Sequence, residues 1–470
     1  MLPLALGIDV GTGGVRALAV APNGAIAGAA STPLAADRSA AGRHEQNPTA
    51  WESAVDCVLH ALWKQGVAPR AIRAVSVDGT SGTLVCTDSG GRPVRPALLY
   101  DDARAEREAH TLSALADGTR RISSSFSIAK ALWVREHEPD VFANVAHLIH
   151  PADYISGSLT GIFGTSDYSN ALKMGYDAER QVWPEWLDSW PDLRARLPDV
   201  APPGTQTGCV TAAAATRTGL PERIPVIAGA TDGVASAIAS GARRAGGYST
   251  TLGTTLVFKG FARAPYADPD GRIYSHRLPG GLWLPGAASN TGAGWIRAWF
   301  PGQDPAVLDQ AASGLLPSPH IAYPLARQGE RFPFHHGMAT GFIEPPTDGT
   351  DRYAACLQGT AYTERLGYEV LDAALGSASG AVYSTGGGSR SDLWMQLRAD
   401  VCQRVFHRPG CPEAAFGAAV LAASATVWGS LQEAMKHMAR PARTFAPQPG
   451  DAYEAGYERF VGALRERGYL

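Results

Sequence analysis

No apolar run in the 470-residue chain approaches the roughly 20 residues that a membrane-spanning helix needs. Charge of one sign is also missing: 41 Lys and Arg stand against 44 Asp and Glu, a net charge of −3. Without a basic surplus the composition gives no reason to expect a nucleic-acid partner, and without an acidic block none to expect a disordered tail. Cysteine is sparse. Cys57, Cys86, Cys209, Cys356, Cys402 and Cys411 form no C-x-x-C pair, so neither a zinc knuckle nor a redox motif is supported, and reduced thiols in a cytoplasmic protein are the expectation. The twelve histidines include His335-His336 but no H-E-x-x-H, which argues against a metal role for them. There is no G-x-S-x-G elbow of an α/β-hydrolase. The start, Met1-Leu2-Pro3-Leu4-Ala5-Leu6-Gly7, lacks a basic region and reads as a first strand, not a signal peptide.

What the chain has in quantity is glycine, 53 residues, the mark of tight turns and close backbone approaches. Leu4 to Val10 is an apolar strand, Gly11-Thr12-Gly13-Gly14 a turn suited to positive φ, and Val15 to Val20 a second strand. Pro48 to Trp63 has helical spacing, with Trp51, Val55, Val58, Leu59 and Leu62 on one face. Ala71 to Asp78 is a buried strand that ends in Gly79-Thr80-Ser81-Gly82-Thr83. A similar rhythm returns after the middle. Pro225 to Ala230 is a strand, and Gly246 to Lys259 is again strand, Gly253-Thr254, strand. Two such units, one near the start of each half, suggest a duplicated architecture with a break near residue 240. The stretch 262–286 reads as an excursion on the second half.

Several segments could carry chemistry. Asp9 ends a strand beside a Gly-rich turn, where a carboxylate can hold hydrated Mg²⁺ while backbone N–H groups face a phosphate; an ordinary hairpin is the bland alternative. Asp232, between Thr231 and Gly233 at a second strand end, is placed to accept a hydroxyl proton in phosphoryl transfer or simply to cap a helix beginning near Val234. Gly253-Thr254 is a second phosphate cradle or a plain turn. Gly386-Gly387-Gly388-Ser389-Arg390-Ser391 follows an apolar strand and precedes a helix, which suits a nucleotide; no Gly-Lys-Ser/Thr follows, so it is not a P-loop, and a flexible loop stays open as the alternative. Asp78 to Thr83, with Tyr100-Asp101-Asp102-Ala103-Arg104, offers the hydroxyls, carboxylates and guanidinium that a desolvated polyol needs, or merely turn chemistry.

The order of these motifs resembles the FGGY family of carbohydrate kinases along nearly the whole chain. Gly7-Ile8-Asp9-Val10-Gly11-Thr12 with Arg16 is similar to its first phosphate motif, and Ser125 to Glu136, with Lys130 three residues before Trp133, to its first signature, Ala131 departing from the bulkier residue usual there. Gly229 to Gly241 resembles the catalytic-Asp segment, Gly253-Thr254 the second phosphate turn, Gly386-Gly387-Gly388 with Trp394 the adenosine segment, and Phe416-Gly417-Ala418-Ala419 the helix after it. The second signature is poorly matched around Gln358-Gly359-Thr360-Ala361.

The resemblance implies an α/β fold of two actin-like, ribonuclease H-like domains flanking a cleft. Residues 1–240 would form the N-terminal domain with the sugar and the catalytic Asp, and 241–470 the C-terminal, nucleotide-binding domain. It implies Mg²⁺ with ATP as co-substrate, and a small-molecule sugar as the other partner, in a cytoplasmic monomer or homodimer that engages no nucleic acid or membrane. Asp232 would be the base. Asp9, Ser81 and Asp232 would touch the sugar, and Asp9 and Asp232 the metal. Thr12, Gly253, Thr254, Gly292, Gly387, Gly388 and Ser391 would bind the nucleotide. The Gln-Arg-Glu-Thr-Thr motif of glycerol enzymes and the Met-His-Gly pocket of typical D-xylulose kinases are both absent. The run Asp78-Gly79-Thr80-Ser81-Gly82-Thr83 resembles a ribulokinase-like branch instead, which favours a pentulose, D-ribulose ahead of D-xylulose. A non-catalytic actin-fold sugar sensor is the competing class. It would need a DNA-reading module, and no helix-turn-helix pattern is evident.

Overall fold

The computed structural model describes every residue except 1, 41, 117–121, 267, 269–270 and 377–379. The chain divides into two compact units: Met1–Ala239 with His276–Gly281 and Glu413–Arg440, and Ser240–Ser275 with Leu282–Pro412 and Pro441–Leu470.

The first unit is built on β1 (Leu4–Gly11), β2 (Gly14–Val20), β3 (Ile26–Pro33), β4 (Ile72–Gly79), β5 (Gln206–Cys209) and β6 (Pro225–Ile227), in the order β5-β6-β4-β1-β2-β3. The first three strands form an antiparallel meander. On the other side of β1, β4 and then β6 run parallel to it. The β1–β2 turn does not use positive φ at any of its glycines. Gly14 is required for a different reason: a Cβ there would lie 2.6 Å from the Thr32 carbonyl oxygen on β3.

A second sheet repeats the plan in the second unit, apart from the end of its edge strand, where His276 and Arg277 group with the first unit. Its strands are β7 (Tyr248–Leu252), β8 (Leu256–Gly260), β9 (Tyr274–Arg277), β10 (Trp283–Ser289), β11 (Val382–Thr385), β12 (Phe406–Pro409) and β13 (Pro441–Phe445), ordered β9-β10-β8-β7-β11-β12-β13. Again three antiparallel strands, β7, β8 and β10, are flanked by two parallel ones, β11 and β12. The same order in both sheets is the structural form of the repeat suspected from the two Gly-Thr bends. The stretch 262–286 is not an excursion throughout, since it supplies β9 and the start of β10; Pro269 and Asp270 within it lie outside the described residues.

Helix α1 (Pro48–Lys64) starts where Asn47 accepts the Thr49 N–H at 3.1 Å, and it buries the predicted face of Trp51, Val55, Val58, Leu59 and Leu62. Further along are α2 (Ser127–His137), α3 (Pro151–Thr160), α4 (Asp232–Ser240), the long α5 (Gly349–Leu375), α6 (Asp392–Cys402) and α7 (Ala414–Ala423). The core of the second unit is largely aromatic: Tyr248, Phe258, Trp295, Phe332, Tyr368 and Trp394 are all buried around α5.

Helix α7 lies with the first unit, although sequence order places it in the second half. Its small residues explain this. A Cβ at Gly7 on β1 would sit 1.8 Å from the Ala415 oxygen, and one at Gly417 would sit 1.9 Å from the Ala235 oxygen. Backbone thus packs on backbone on both sides of the helix, which only glycine permits. No single helix among the described residues is long and apolar enough to cross a membrane; the bent pair Ala414–Trp428 and Leu431–Met438 passes by composition, and all of α7 within it is buried in the first unit.

Candidate active site

Three carboxylates meet at the carboxyl ends of the parallel strands of the first unit. Asp9 on β1 is in register with Asp78 on β4. The next residue, Gly79, bridges to Thr231, immediately before Asp232. The approach is close because a Cβ at Gly229 would lie 1.7 Å from the Val77 carbonyl oxygen. Strand ends of parallel sheets are where α/β proteins hold ligands.

The three groups sit in different surroundings. Asp78 is wholly buried, and no N–H or O–H donor among the described residues makes a well-formed hydrogen bond to either of its oxygens. Burial first, and then the charges of Asp9 and Asp232, hold its proton far above the usual carboxylate range. Asp9 is also buried. Desolvation raises its carboxyl, against a hydrogen bond from Asp78 and the Arg16 guanidinium at 3.5 Å, which pull it down. Asp78 is therefore held as a neutral carboxyl beside Asp9. Asp232 is half-buried in the first turn of α4, not ahead of the helix. The helix-start alternative is thus partly realised, yet the carboxylate still stands at the strand-end cluster.

Ser81 lies on the turn after β4, its Oγ buried and without a hydrogen-bond partner among the described residues. Thr83 Oγ1, just beyond, is in the same condition. Such hydroxyls are costly unless a ligand satisfies them. Two lysines that the sequence reading did not place in the site stand near this turn. Lys173 approaches Gly82 so closely that a Cβ there would meet its Nζ at 3.3 Å. Lys130 is buried, donates to the Ser124 oxygen at 2.6 Å, and is pulled down to about 7 by burial and then by the Lys173 charge. The Asp101–Arg104 run turns out to be mostly scaffold. Arg104 forks onto Asp102 and also reaches Glu45 at 2.7 Å, while Asp101 pairs with Arg38 at 2.9 Å.

Thr12 sits half-buried in the β1–β2 turn, its carbonyl accepting from Gln46 Nε2 at 2.8 Å. The other residues expected to bind nucleotide come together in the second unit. Gly253, Thr254, Gly292, Gly387, Gly388 and Ser391 all line one cavity of about 1170 Å³. A Cβ at Gly292 would be 2.4 Å from the Thr255 carbonyl carbon, and one at Gly388 would be 2.5 Å from Leu252 Cδ2, so bare backbone forms the wall at both points. Ser391 Oγ caps α6 by accepting the Trp394 N–H at 3.0 Å. Arg390 of the Gly-rich motif also lines the cavity, as do Arg297 and Arg327, which no motif flagged, with Trp295 and Phe300. Cationic and aromatic side chains over a glycine wall suit phosphates and a planar base.

Behind this cavity, Glu330 is buried and fully used. Its Oε2 accepts from Ser289 Oγ (2.9 Å), Thr291 Oγ1 (2.9 Å) and the Tyr323 hydroxyl (2.8 Å), and its Oε1 from the N–H groups of Asn290 (2.6 Å) and Arg331 (2.9 Å). It holds the backbone that leads into Gly292.

A duplicated sheet, with carboxylates at the strand ends of one copy and a glycine-walled cavity in the other, defines a two-domain α/β phosphotransferase. The family model for the N-terminal domain of the FGGY family of carbohydrate kinases matches residues 4–239, and that for its C-terminal domain matches 248–426. The chain belongs to the FGGY family and is an ATP-dependent sugar kinase. It is 27% identical to a xylulose kinase of Bacillus subtilis, over 94% of this chain and 92% of that protein. It is 29% identical to a xylulose kinase of Escherichia coli, over 86% of each. The crystal structure of a xylulose kinase from Rhodospirillum rubrum, 26% identical, superposes with a TM-score of 0.85 over 98% of both chains.

Proposed function

We propose that the enzyme transfers the γ-phosphoryl group of ATP to the terminal hydroxyl of a pentulose. The convergence of Asp9, Asp78 and Asp232 on one strand-end cluster carries this reading. Asp232 is the base: a half-buried carboxylate in the first turn of α4 that takes the proton of the attacking hydroxyl. Ser81 supplies a hydrogen bond to the sugar. Thr12, Gly253 and Thr254 orient phosphates; Gly292, Gly387, Gly388 and Ser391 border the adenosine.

The donor set fits Mg²⁺, which favours hard carboxylate oxygens, and Asp9 and Asp232 are the residues that would hold it. Beyond burial, the charges of Asp9 and Asp232 raise the Asp78 carboxyl, which supports this as a place where a cation would be met. When bound with ATP, the ion would offset phosphate charge.

D-xylulose is the first sugar to try, because relatives along most of the chain carry that name. D-ribulose keeps support from the Asp78–Thr83 turn, which resembles the ribulokinase-like branch. An enzyme of this kind works on small molecules in the cytoplasm, as a monomer or homodimer. Coupled ADP release across D-xylulose, D-ribulose, glycerol and aldohexoses tests the reading. A pentulose should be the best acceptor, and Ser81→Ala should raise its KM about tenfold with little change for ATP. ADP release that no ketose stimulates would leave a non-catalytic sugar sensor as the better account.

A further inference from the structure

A buried polar chain lies behind the Asp232 loop, and the substrate contacts proposed above do not use it. Asp167, 2% exposed, accepts at Oδ1 from Ser169 N–H (2.7 Å), Ser169 Oγ (2.6 Å) and Asn170 N–H (3.1 Å), and at Oδ2 from Asn170 Nδ2 (2.6 Å). Ser169 and Asn170 are fully buried. The Thr231 N–H, itself buried, donates to Ser169 Oγ at 3.0 Å across 62 residues of sequence. Burial and the neighbouring Asp153 raise the Asp167 carboxyl to about 6, against the hydrogen bonds from Ser169 and Asn170 that pull it down. At pH 7.5 it is therefore ionised and can only accept.

The proton count then has one solution. A serine hydroxyl has a single proton. With that proton on Asp167, the oxygen is left as an acceptor, and the Thr231 N–H fills it. On its other side, the Thr231 carbonyl accepts from Val234 N–H (3.0 Å) and Ala235 N–H (2.8 Å), which opens α4. Thr231, the residue in front of Asp232, is thus held at both of its backbone polar groups, its C=O by the helix and its N–H by a side chain from a distant turn.

We propose that Asp167 and Ser169 are positioning residues that set the place of the Asp232 carboxylate through the Thr231 backbone. The idea rests on the reading of Asp232 as the base. Asp167 also caps the short helix Tyr168–Ala171, so a role in local folding alone is the rival account.

The two accounts part in kinetics. If the chain positions Asp232, Ser169→Ala should lower kcat about tenfold or more while the KM values for pentulose and ATP change by less than about threefold, since misplacing a reacting group costs rate, not binding. Ser169→Thr, which keeps the hydroxyl, should restore most of the rate. In a D232N background the added S169A should cost less than about twofold, because the carboxylate it positions is already gone. If S169A does not fold, D167N carries the test: it keeps the shape but weakens the hold on the hydroxyl proton, and should lower kcat with KM unchanged. Wild-type kcat in folded S169A or D167N, or a full tenfold further loss in the D232N background, would overturn the positioning role. Wild-type turnover in D232N itself would instead remove the base assignment on which the proposal stands.

Discussion

The core of the second unit and the neighbourhood of the proposed sugar site in the first treat buried ionisable groups in opposite ways. In the second unit, Glu364 and Arg398 are both completely buried and face each other through two hydrogen bonds of 2.6 and 2.8 Å. Glu330 likewise has five donors. In the first unit, no donor among the described residues reaches Asp78, and Lys130 gives up much of its affinity for a proton to burial and to Lys173. The second unit spends its buried ions on holding backbone in place. The first keeps two ionisable groups without a counter-charge beside the proposed sugar site, one of them neutral and the other with its proton affinity lowered. A compensated buried ion is framework; a buried ionisable group with a displaced pKa is tolerated where a ligand has work for it.

The comparison can be broken at several points. The largest effect belongs to Glu364→Ala, which strands Arg398 without a counter-charge. The expected loss is about 3–5 kcal/mol of stability, read from urea unfolding, and a loss under about 1 kcal/mol would show that the pair is not framework. Next is Asp232→Asn, expected to keep the fold and ATP binding while losing at least ~10²-fold in turnover. Near-normal turnover would remove Asp232 as the base.

Lys130 gives a pH test. Its folded value of about 7 lies below its ordinary 10.5. Between these values the unfolded chain binds more protons than the folded one, so stability rises with pH across that window. Lys130→Met lacks this term. Wild type should therefore gain about 3 kcal/mol on K130M between pH 7 and 9.5, measured by denaturant titration at each pH. Parallel curves would mean that Lys130 is not a suppressed cation. The smallest effect is expected at Asp78. Because its carboxyl keeps its proton, the neutral D78N should unfold within about 1 kcal/mol of wild type or later. A loss of several kcal/mol would place Asp78 with Glu364 as framework.

Local chemistry made much of this readable in advance. The Gly-Thr bends at Gly11-Thr12 and Gly253-Thr254 sit between apolar strands, and turn chemistry is encoded within a few residues, so both hairpins and their repetition could be seen in the sequence. Six of the residues assigned to the nucleotide line one cavity for the same reason: each is a glycine or a small polar residue in a strand–turn or turn–helix junction. What could not be read depends on distant partners. The Ala- and Gly-rich composition of α7 shows that something packs closely on it, but not that the surface is β1 of the first unit. Arg297 and Arg327 carry no local pattern that sets them apart from other surface arginines. Ser169 looks like one more helix-start serine until Thr231 is brought to it. Lys130 was noticed as a signature residue, but its burial against Lys173 is a tertiary fact. The Asp78–Thr83 turn favours D-ribulose while the relatives are named xylulose kinase, and a turn sequence alone does not fix which epimer its hydroxyls meet.

The return of Glu413–Arg440 to the first unit bears on how the protein is made. Folding generally follows the chain as it leaves the ribosome. Here the backbone face of β1 at Gly7 receives its cover, Ala415, only after some four hundred further residues have been synthesised. Until then a nascent first unit shows apolar sheet to its surroundings and depends on holding chaperones or on speed. A gene cut near residue 240 would give a front fragment lacking its lid helix and a back fragment bearing an orphaned one, and co-expression of the two pieces should rescue solubility that neither has alone.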